Sequence, residues 1–369
     1  MFDEQFQLYI FRRIEMRKKY LIFSCTLLLA AFIGCGQIVA QDNITLGLSQ
    51  MVTLAISNNL RFKKVSYQLE NTKLETKKIE AENLLNKSSI SNLQKEITLL
   101  IQQSQFQSEK DQLLIQVVDD YFRLLMAEKE IESNKKNEEL EKIILADTEK
   151  QVAAGYSINL DLLQQGNEYY DALFSYQGSK LNYQQIIIEI KDRLGIDHDQ
   201  SIELSEMEIP EFPEISLADA INKARENSVT LRSQEINLEK ANRELEIAKA
   251  NNLPEIEILK LENNLGIAQL DKSLAEQELD YQVESQWLNY NQANNDIILS
   301  KRSLDQMKEN EEMIQQQVQA GLRSDEEALS ATIGVLDAQY RLISSIRQAY
   351  QSYLELQRLM GTLDEGDLK

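Results

Sequence analysis

Proline and glycine are scarce in this chain of 369 residues, which contains 3 prolines and 12 glycines. Both residues interrupt regular secondary structure, so their scarcity favours long helices over a fold built from many short elements. Aromatic residues make up only 7% of the sequence, and the apolar residues recur at intervals of three and four positions. This spacing is typical of long helices that pack side by side, and it argues against the compact core of a globular enzyme.

Cysteine and histidine are also rare, with two cysteines and a single histidine. His198 lies between Asp197 and Asp199, but one imidazole lacks the further ligands that a metal site needs. The sequence contains no nucleophile elbow, no glycine-rich phosphate loop and no Cys/His cluster. We therefore predict a protein that is not an enzyme, with no catalytic residues, no metal and no cofactor.

Residues 1–40 are predicted to be an N-terminal extension and a signal peptide. Three basic residues from Arg17 precede the apolar run YLIFSCTLLLAAFIG, which is too short for a typical transmembrane helix. Cleavage after Ala40 would leave a chain without cysteine, and therefore without a disulfide. The stretch FIGC offers a second ending, because it resembles a bacterial lipobox in which Cys35 carries the lipid. Both endings predict an exported protein.

The chain is strongly acidic, with 39 Lys and Arg residues against 60 Asp and Glu residues and a net charge of −21. Such a surface repels nucleic acid and anionic lipid, so we expect neither as a partner. The same charge also keeps a long protein soluble, without any specific cationic partner.

Two stretches of the sequence are nearly the same. QVAAGYSINLDLL begins at Gln151, and QVQAGLRSDEEAL begins at Gln317, 166 residues later. Further matches extend the similarity, such as Ala55 with Ala224 at an offset of 169. The sequence is therefore a tandem duplication. We predict a first repeat over residues 41–195, a linker over 196–214, a second repeat over 215–361 and a tail over 362–369.

Each repeat is predicted to contain three helices. Thr45 and Ser216 precede the first apolar-periodic runs, as helix N-caps would. After a break near residues 83–91 and 251–258, a long helix spans about 90 Å at 1.5 Å per residue. The stretch PEIEILKL in the second break could instead form one short strand, because its apolar residues partly alternate.

Gly155 and Gly321 are each predicted to end a long helix, because glycine tolerates the left-handed conformation of a C-cap. Ser157 or Ser324, with the acidic residues after them, can begin the returning helix. Each of the two similar stretches is then the tip of a helical hairpin. The predicted fold class is all-α, with two coiled-coil hairpins about 90 Å long and little or no β-structure.

At this point the sequence resembles the outer-membrane efflux proteins, the TolC-like channels. SLADAINKARENS matches the opening of that family's repeat, T-L-x-x-A-I-x-x-A-L-x-x-N, and MVTLAISNNL matches its second half. The tips are similar to A-G-x-x-S-x-x-D-x-L, and the repeats end in L-x-G at Gly195 and Gly361. The resemblance covers residues 45–361. It implies a homotrimer whose helices form a periplasmic tunnel for efflux transmembrane transport, together with a periplasmic adaptor protein and an inner-membrane pump.

The sequence departs from the family between the first and second helices of each repeat, where the family inserts a β-hairpin that contributes to a trimeric barrel. A membrane-spanning hairpin needs about 22 residues or more. About 37 residues separate Leu84 from Tyr121, and 34 separate Leu253 from Trp287, and most of them favour helix. We therefore expect both hairpins to be missing. Association with the outer membrane would then depend on lipid or on a partner.

Two functions remain open. The first is a TolC-like channel component of a tripartite efflux or secretion system in the periplasm and outer membrane of a Gram-negative bacterium. The second is a non-conducting periplasmic structural or scaffold protein, derived from the family after barrel loss. A coiled-coil adaptor is a weaker third reading, because adaptors normally add β-rich lipoyl and barrel domains that this chain lacks.

The candidate functional residues lie at the two tips. Asp161, Asp325 and Glu326 could form charged rings in a threefold assembly, or they could simply complement the positive ends of their helices. Tyr121 and Trp287 occupy equivalent positions, and we interpret them as packing residues. The residues to which the resemblance assigns adaptor docking are Gly155, Tyr156, Ser157, Asp161, Gly321, Leu322, Ser324 and Asp325.

Overall fold

The computed structural model describes residues 44–83, 89–205 and 211–368, and nearly all of them belong to one compact unit, Thr45–His198 with Ile202–Lys369. The first part of the chain forms β1 (Ile44–Leu46), α1 (Leu48–Asn58), α2 (Leu60–Asn83), α3 (Ser89–Ala153) and α4 (Asn159–Leu194). The second part forms β2 (Ile202–Leu204), α5 (Leu217–Asn227), α6 (Val229–Ala250), α7 (Glu255–Gln319), α8 (Asp325–Met360) and a 3-10 turn (Glu365–Leu368). The predicted all-α class is confirmed.

The longest helices, α3 and α7, contain 65 residues each. At 1.5 Å per residue each spans about 97 Å, close to the length expected from the sequence. The returning helices α4 and α8 contain only 36 residues each, which corresponds to about 54 Å. The prediction of hairpins about 90 Å long is therefore wrong. Only the tip-proximal half of each long helix pairs with its returning helix, and the other half packs against α2 or α6.

The first helix of each repeat is interrupted, which the sequence analysis did not predict. Asn59 has ψ 119° and Ser228 has ψ 111°, so the backbone leaves the helical conformation for one residue. Each interruption is capped by its own side chain. Asn59 Oδ1 accepts a hydrogen bond from the Phe62 N–H (3.0 Å), and Ser228 Oγ accepts one from the Leu231 N–H (3.2 Å). These bonds begin α2 and α6 immediately after the break.

Two local expectations were wrong and one was right. Thr45 is not an N-cap, because it lies in β1, which pairs with β2. Ser216 does cap its helix, since its Oγ accepts a hydrogen bond from the Asp219 N–H (3.1 Å). PEIEILKL is not a strand, because α7 begins at Glu255, directly after Pro254. Only residues 251–254 therefore connect α6 to α7.

The four long helices lie side by side in the order α4, α3, α8, α7. The two central helices, α3 and α8, come from different repeats. Phe122 on α3 packs against Tyr350 on α8 with ring centroids 5.2 Å apart, and Asp119 accepts a hydrogen bond from Arg347 Nε at 2.6 Å. The layer stays open, because its two edge helices, α4 and α7, have no extensive contact with each other.

Tyr121 and Trp287 join the long helices to the segment between the repeats. The Tyr121 hydroxyl donates to the carbonyl of Ser205 (3.3 Å), and Trp287 Nε1 donates to the carbonyl of Ile215 (2.7 Å). Tyr121 is buried and Trp287 is half-buried. Both contacts agree with the interpretation of these aromatic residues as packing residues.

The end of the layer where α4 and α8 stop, which we call the base, contains the same contact twice. Gly195 (φ +63°) ends α4 and Gly361 (φ +65°) ends α8. Asn58 Nδ2 donates to the carbonyl of Leu194 (3.0 Å), and Asn227 Nδ2 donates to the carbonyl of Met360 (2.9 Å). Each asparagine thus satisfies a carbonyl that the end of the helix would otherwise leave without a partner. These contacts explain why both repeats contain an asparagine early and a glycine at the end.

Candidate functional site

The two hairpin tips are turns at a glycine, as predicted. We call residues 154–158 the first tip and residues 320–324 the second tip. Gly155 has φ +78° and Gly321 has φ +72°, a region in which glycine is unstrained and other residues are not. A Cβ atom added to either glycine would meet nothing within 4 Å. The backbone conformation requires these glycines, and packing does not.

Main-chain hydrogen bonds close each tip. The Gly155 N–H donates to the carbonyl of Val152 (3.0 Å), and the Tyr156 N–H donates to the carbonyl of Gln151 (2.9 Å). The second tip repeats both bonds at equivalent positions, each at 2.9 Å. This Schellman pattern satisfies carbonyls at the end of the long helix. Each tip can therefore turn within a few residues without support from another part of the chain.

The two tips begin their returning helices differently. At the second tip Ser324 caps α8, because its Oγ accepts from the Glu327 N–H (3.3 Å) while Glu327 Oε2 accepts from the Ser324 N–H (3.0 Å). At the first tip the N-cap position belongs to Ile158, and Ser157 lies one residue before it. The expectation that Ser157 caps α4 is therefore wrong. The carboxylate of Asp161 takes over that role by accepting from the Ile158 N–H (3.2 Å).

Asp161 and Glu327 are equivalent residues, 166 positions apart, and both accept the N–H of the residue that precedes the returning helix. Hydrogen bonds from Ser157 and from the Ile158 N–H lower the pKa of Asp161. At the second tip Arg323 Nη1 lies 3.0 Å from Glu327 Oε1. The sequence analysis overlooked Arg323 and Glu327. The spacing S-x-x-E, which is the signature of a capping box, was the signal for Glu327.

Asp325 and Glu326 lie in the first turn of α8. Carboxylates at this position complement the partial positive charge of a helix N-terminus. Their place in the chain thus has a structural explanation. Whether they also form rings in an assembly stays a prediction.

Apolar side chains dominate the outer surface of both tips. Tyr156 is 87% exposed and its equivalent Leu322 is 76% exposed. The neighbouring Ile158, Leu160 and Leu163 are also exposed. Large apolar side chains that protrude from a turn gain nothing in folding, and clusters of them mark surfaces that bind other proteins.

Both tips lie at the same end of the layer. Ser133 Oγ on α3 donates to Asp337 Oδ1 on α8 (2.7 Å), and Asp119 on α3 pairs with Arg347 on α8. As residue numbers rise along α3 they fall along α8, so the two helices are antiparallel. The end of α3 therefore lies near the start of α8, and the chain presents both tips in one direction.

Several predicted features lie elsewhere. The signal peptide, its cleavage after Ala40 and the lipidation of Cys35 fall outside the described residues. The main-chain carbonyl of His198 accepts a hydrogen bond from Lys191 Nζ (2.8 Å). Across the ranges that the structure describes, no helix combines the length and apolar character needed to cross a membrane.

Comparison with known proteins identifies the fold. No family model matches the sequence, and no curated protein matches it. Solved structures do match. The outer membrane protein VceC of Vibrio cholerae superposes with a TM-score of 0.61 at 11% identity, over 85% of this chain and 96% of that chain. The CmeC outer membrane channel of Campylobacter jejuni gives 0.59 at 14%, over 87% and 88%.

The open state of the MtrE outer membrane channel of Neisseria gonorrhoeae gives a TM-score of 0.59 at 13% identity, over 86% of this chain and 91% of that chain. The match covers most of each chain, whereas the identities are too low to transfer a function. The chain therefore has the fold of TolC-like outer-membrane channels, as the sequence resemblance implied.

Proposed function

We propose that the protein is the channel component of a tripartite efflux or secretion system. Its solved neighbours include structures described as outer membrane channels. The observation that carries the proposal is the open layer α4, α3, α8, α7. A single chain cannot enclose a path for cargo, because its layer has two free edges. Several copies joined edge to edge can enclose one.

The free edges are built for further packing. On α4, Phe174, Leu181 and Ile188 are exposed at intervals of seven residues. On α7, Ile267, Leu274, Tyr281 and Leu288 are exposed at the same interval. The central helix α8, which is described throughout, exposes no large apolar side chain. Since an apolar heptad stripe is the signature of a helix that packs against another helix, both edges lack partners. Self-association, as the homotrimer that the resemblance implies, supplies them.

The two tips are the proposed docking site for a periplasmic adaptor, which connects the channel to an inner-membrane pump. Tyr156 and Leu322 supply apolar contact, while Asp161, Glu327 and Arg323 fix the turns behind them. Six tips of a trimer would then present these side chains to the adaptor at one end of the assembly. The protein is exported to the periplasm in this proposal, and lipid on Cys35 or a partner holds it at the outer membrane.

Photo-cross-linking in cells tests the docking site. A photo-reactive residue in place of Leu322 should cross-link to a tagged periplasmic adaptor from the same bacterium. The same residue in place of Lys77, which is exposed on α2 far from the tips along the chain, is the matched control and should not. Cross-linking at both positions, or at neither, contradicts docking through the tips.

A second function, a non-conducting periplasmic scaffold, is favoured by one observation. Only residues 251–254 connect α6 to α7, where the resemblance implies a longer insertion. Conductance separates the two functions. Purified protein that forms rings and gives current steps in a planar bilayer is a channel, whereas rings that never conduct support the scaffold.

A further inference from the structure

The tandem duplication creates an internal reference for the contact between copies. Within one chain, α3 packs against α2 and α4 of its own repeat and against α6 and α8 of the second repeat. Its equivalent α7 packs against α5, α6 and α8, all of its own repeat, and has no extensive contact with α2 or α4. The face of α7 that corresponds to the inter-repeat face of α3 therefore has no partner within the chain.

That face of α7 is apolar and exposed. Ile256 and Leu259, in the first turns of α7, are 75% and 52% exposed. Their equivalents on α3, 166 residues earlier, are Ile90 and Leu93, which are partly buried. The same kinds of side chain thus occur at equivalent positions, one set covered and the other open.

The complementary face lies on α2. In the second repeat, Ile236 on α6 is 2% exposed and lies between Arg232 and Lys240, which both reach α3. Its equivalent on α2, 169 residues earlier, is Tyr67, which is 72% exposed. Leu60, one helical heptad before Tyr67, is 80% exposed. The face of α6 that joins the two repeats therefore corresponds to an open apolar face of α2.

We propose that α2 of one copy packs against α7 of the next copy in the way that α6 packs against α3 within the chain. The occupant of each open face is thus a second copy of this chain, and the seam between copies repeats the seam between repeats. The proposal rests on the self-association proposed above and specifies which faces meet.

The polar residues of the internal seam support this pairing. Within the chain, Arg232 Nη2 lies 3.0 Å from Glu96 Oε1. Subtracting 169 from 232 gives Lys63, and adding 166 to 96 gives Glu262. A cation therefore again faces an anion. Glu262 already pairs with Lys249 through one carboxylate oxygen (2.8 Å), and its second oxygen can accept from the neighbour.

A second polar pair is complementary as well. Lys240 Nζ donates to Gln94 Oε1 at 3.2 Å within the chain. The equivalents are Asn71 on α2 and Lys260 on α7, so the donor moves to the other helix and a hydrogen bond can still form. Because α2 and α7 carry different faces, each copy binds its neighbour head to tail. Such an interface closes into a ring when the rotation between copies allows it.

Cysteine cross-linking tests the proposed faces. The double variant Lys63→Cys/Glu262→Cys, treated with a short bis-maleimide, should yield covalent multimers on a denaturing gel. Each single variant is the control for the chain's own cysteines and should yield none of these multimers. The double variant Arg232→Cys/Glu96→Cys is the matched internal control, and it should cross-link within one chain without multimers.

Charge reversal supplies an independent readout. Lys63→Glu should weaken the association of copies by at least about tenfold, and Glu262→Lys in the same chain should restore most of it. Light scattering of the full-length protein measures the association, and circular dichroism checks that the helices remain. Multimers in light scattering without the Lys63/Glu262 cross-link would overturn the proposed faces and leave the proposed function standing. A protein that stays monomeric throughout would overturn both.

Discussion

The tips and the base of this protein use the same residue in the same conformation, in different surroundings. Glycine with positive φ ends a helix at Gly155 and Gly321 in the tips, and at Gly195 and Gly361 in the base. At the tips an added Cβ would meet nothing within 4 Å. At the base it would lie 2.9 Å from Asn58 Cβ and 2.6 Å from the equivalent asparagine of the second repeat. The base glycines are thus required by conformation and by space, and the tip glycines by conformation alone.

This difference assigns the two ends different tasks. At the base, an asparagine seals the end of each returning helix, so any added side chain displaces a contact that holds the repeat together. At the tips, the turn is complete within its own main chain, and its outer surface is left for a partner. A partner surface that folding does not use can change without loss of the fold.

The largest expected effect comes from valine at the base. In Gly361→Val the left-handed backbone strain and the clash with Asn227 add together, and we expect unfolding to become easier by about 3–5 kcal/mol. In Gly321→Val only the strain is present, so we expect about 1–2 kcal/mol. Unfolding followed by circular dichroism measures both variants.

Gly195→Val and Gly155→Val repeat the same experiment in the first repeat. Because the gap at Gly195 is slightly wider, its loss should be somewhat smaller than that of Gly361→Val. Equal losses at base and tip would show that the asparagine contacts do not distinguish the two ends.

The next effect is smaller and isolates the asparagine. Asn227→Ala removes the hydrogen bond to the carbonyl of Met360, and we expect a loss of about 1–2 kcal/mol. The same change should relieve part of the clash in Gly361→Val. The double variant should therefore lose less than the sum of the two single variants. Additive losses would mean that the clash does not involve Asn227.

The sequence predicted the tips better than the base, for a physical reason. A Schellman turn is local, so the glycine and its flanking residues contain the whole signal, and the repetition 166 residues later strengthens it. The contact between Asn58 and the end of α4 joins residues 136 positions apart. No local pattern reports such a contact. The resemblance supplied the asparagine and the glycine as motif positions without the reason for them.

The interruptions at Asn59 and Ser228 were missed because both residues occur in helices as well as at caps. The main-chain ψ of one residue decides between the two, and packing against the neighbouring helices sets that angle. The shifted cap at the first tip has a different cause. Ser157 has the residue type of an N-cap, but it is the equivalent of Arg323, and Asp161 provides the capping carboxylate.

At the tips, the expected effect on stability is small and the effect on binding is large. Leu322→Asp replaces a side chain that is 76% exposed, so the midpoint of unfolding should change by less than about 0.5 kcal/mol in free energy. The charge should nevertheless weaken adaptor binding, because it would be buried in the complex without a partner. Binding of the adaptor to purified variant measures this effect. Unchanged binding with intact helices would remove Leu322 from the docking surface.

The smallest effect concerns one carboxyl group near each end, and here the sign separates the two regions. Asp111 is 5% exposed, and burial raises its pKa above the usual 3.8. Near the tip, the hydrogen bonds from Ser157 and Ile158 lower the pKa of Asp161. A raised pKa means that the folded state favours the protonated acid. Its contribution to stability is therefore complete below 3.8 and is lost as the pH rises through the folded pKa.

A lowered pKa has the opposite consequence, because the stability is present above 3.8 and is lost as the pH falls through the folded pKa. At pH 7, Asp111→Asn should therefore unfold at a higher temperature than the wild type, because the neutral amide avoids the cost of a buried charge and can keep the hydrogen bond to Gln107. Asp161→Asn should unfold at a slightly lower temperature at pH 7. As the pH is lowered towards 4 and below, both variants should approach the wild type, one from above and one from below. Thermal unfolding of the three proteins between pH 3 and pH 7 measures these differences, and shifts of the same sign would contradict the contrast between the buried and the exposed carboxyl group.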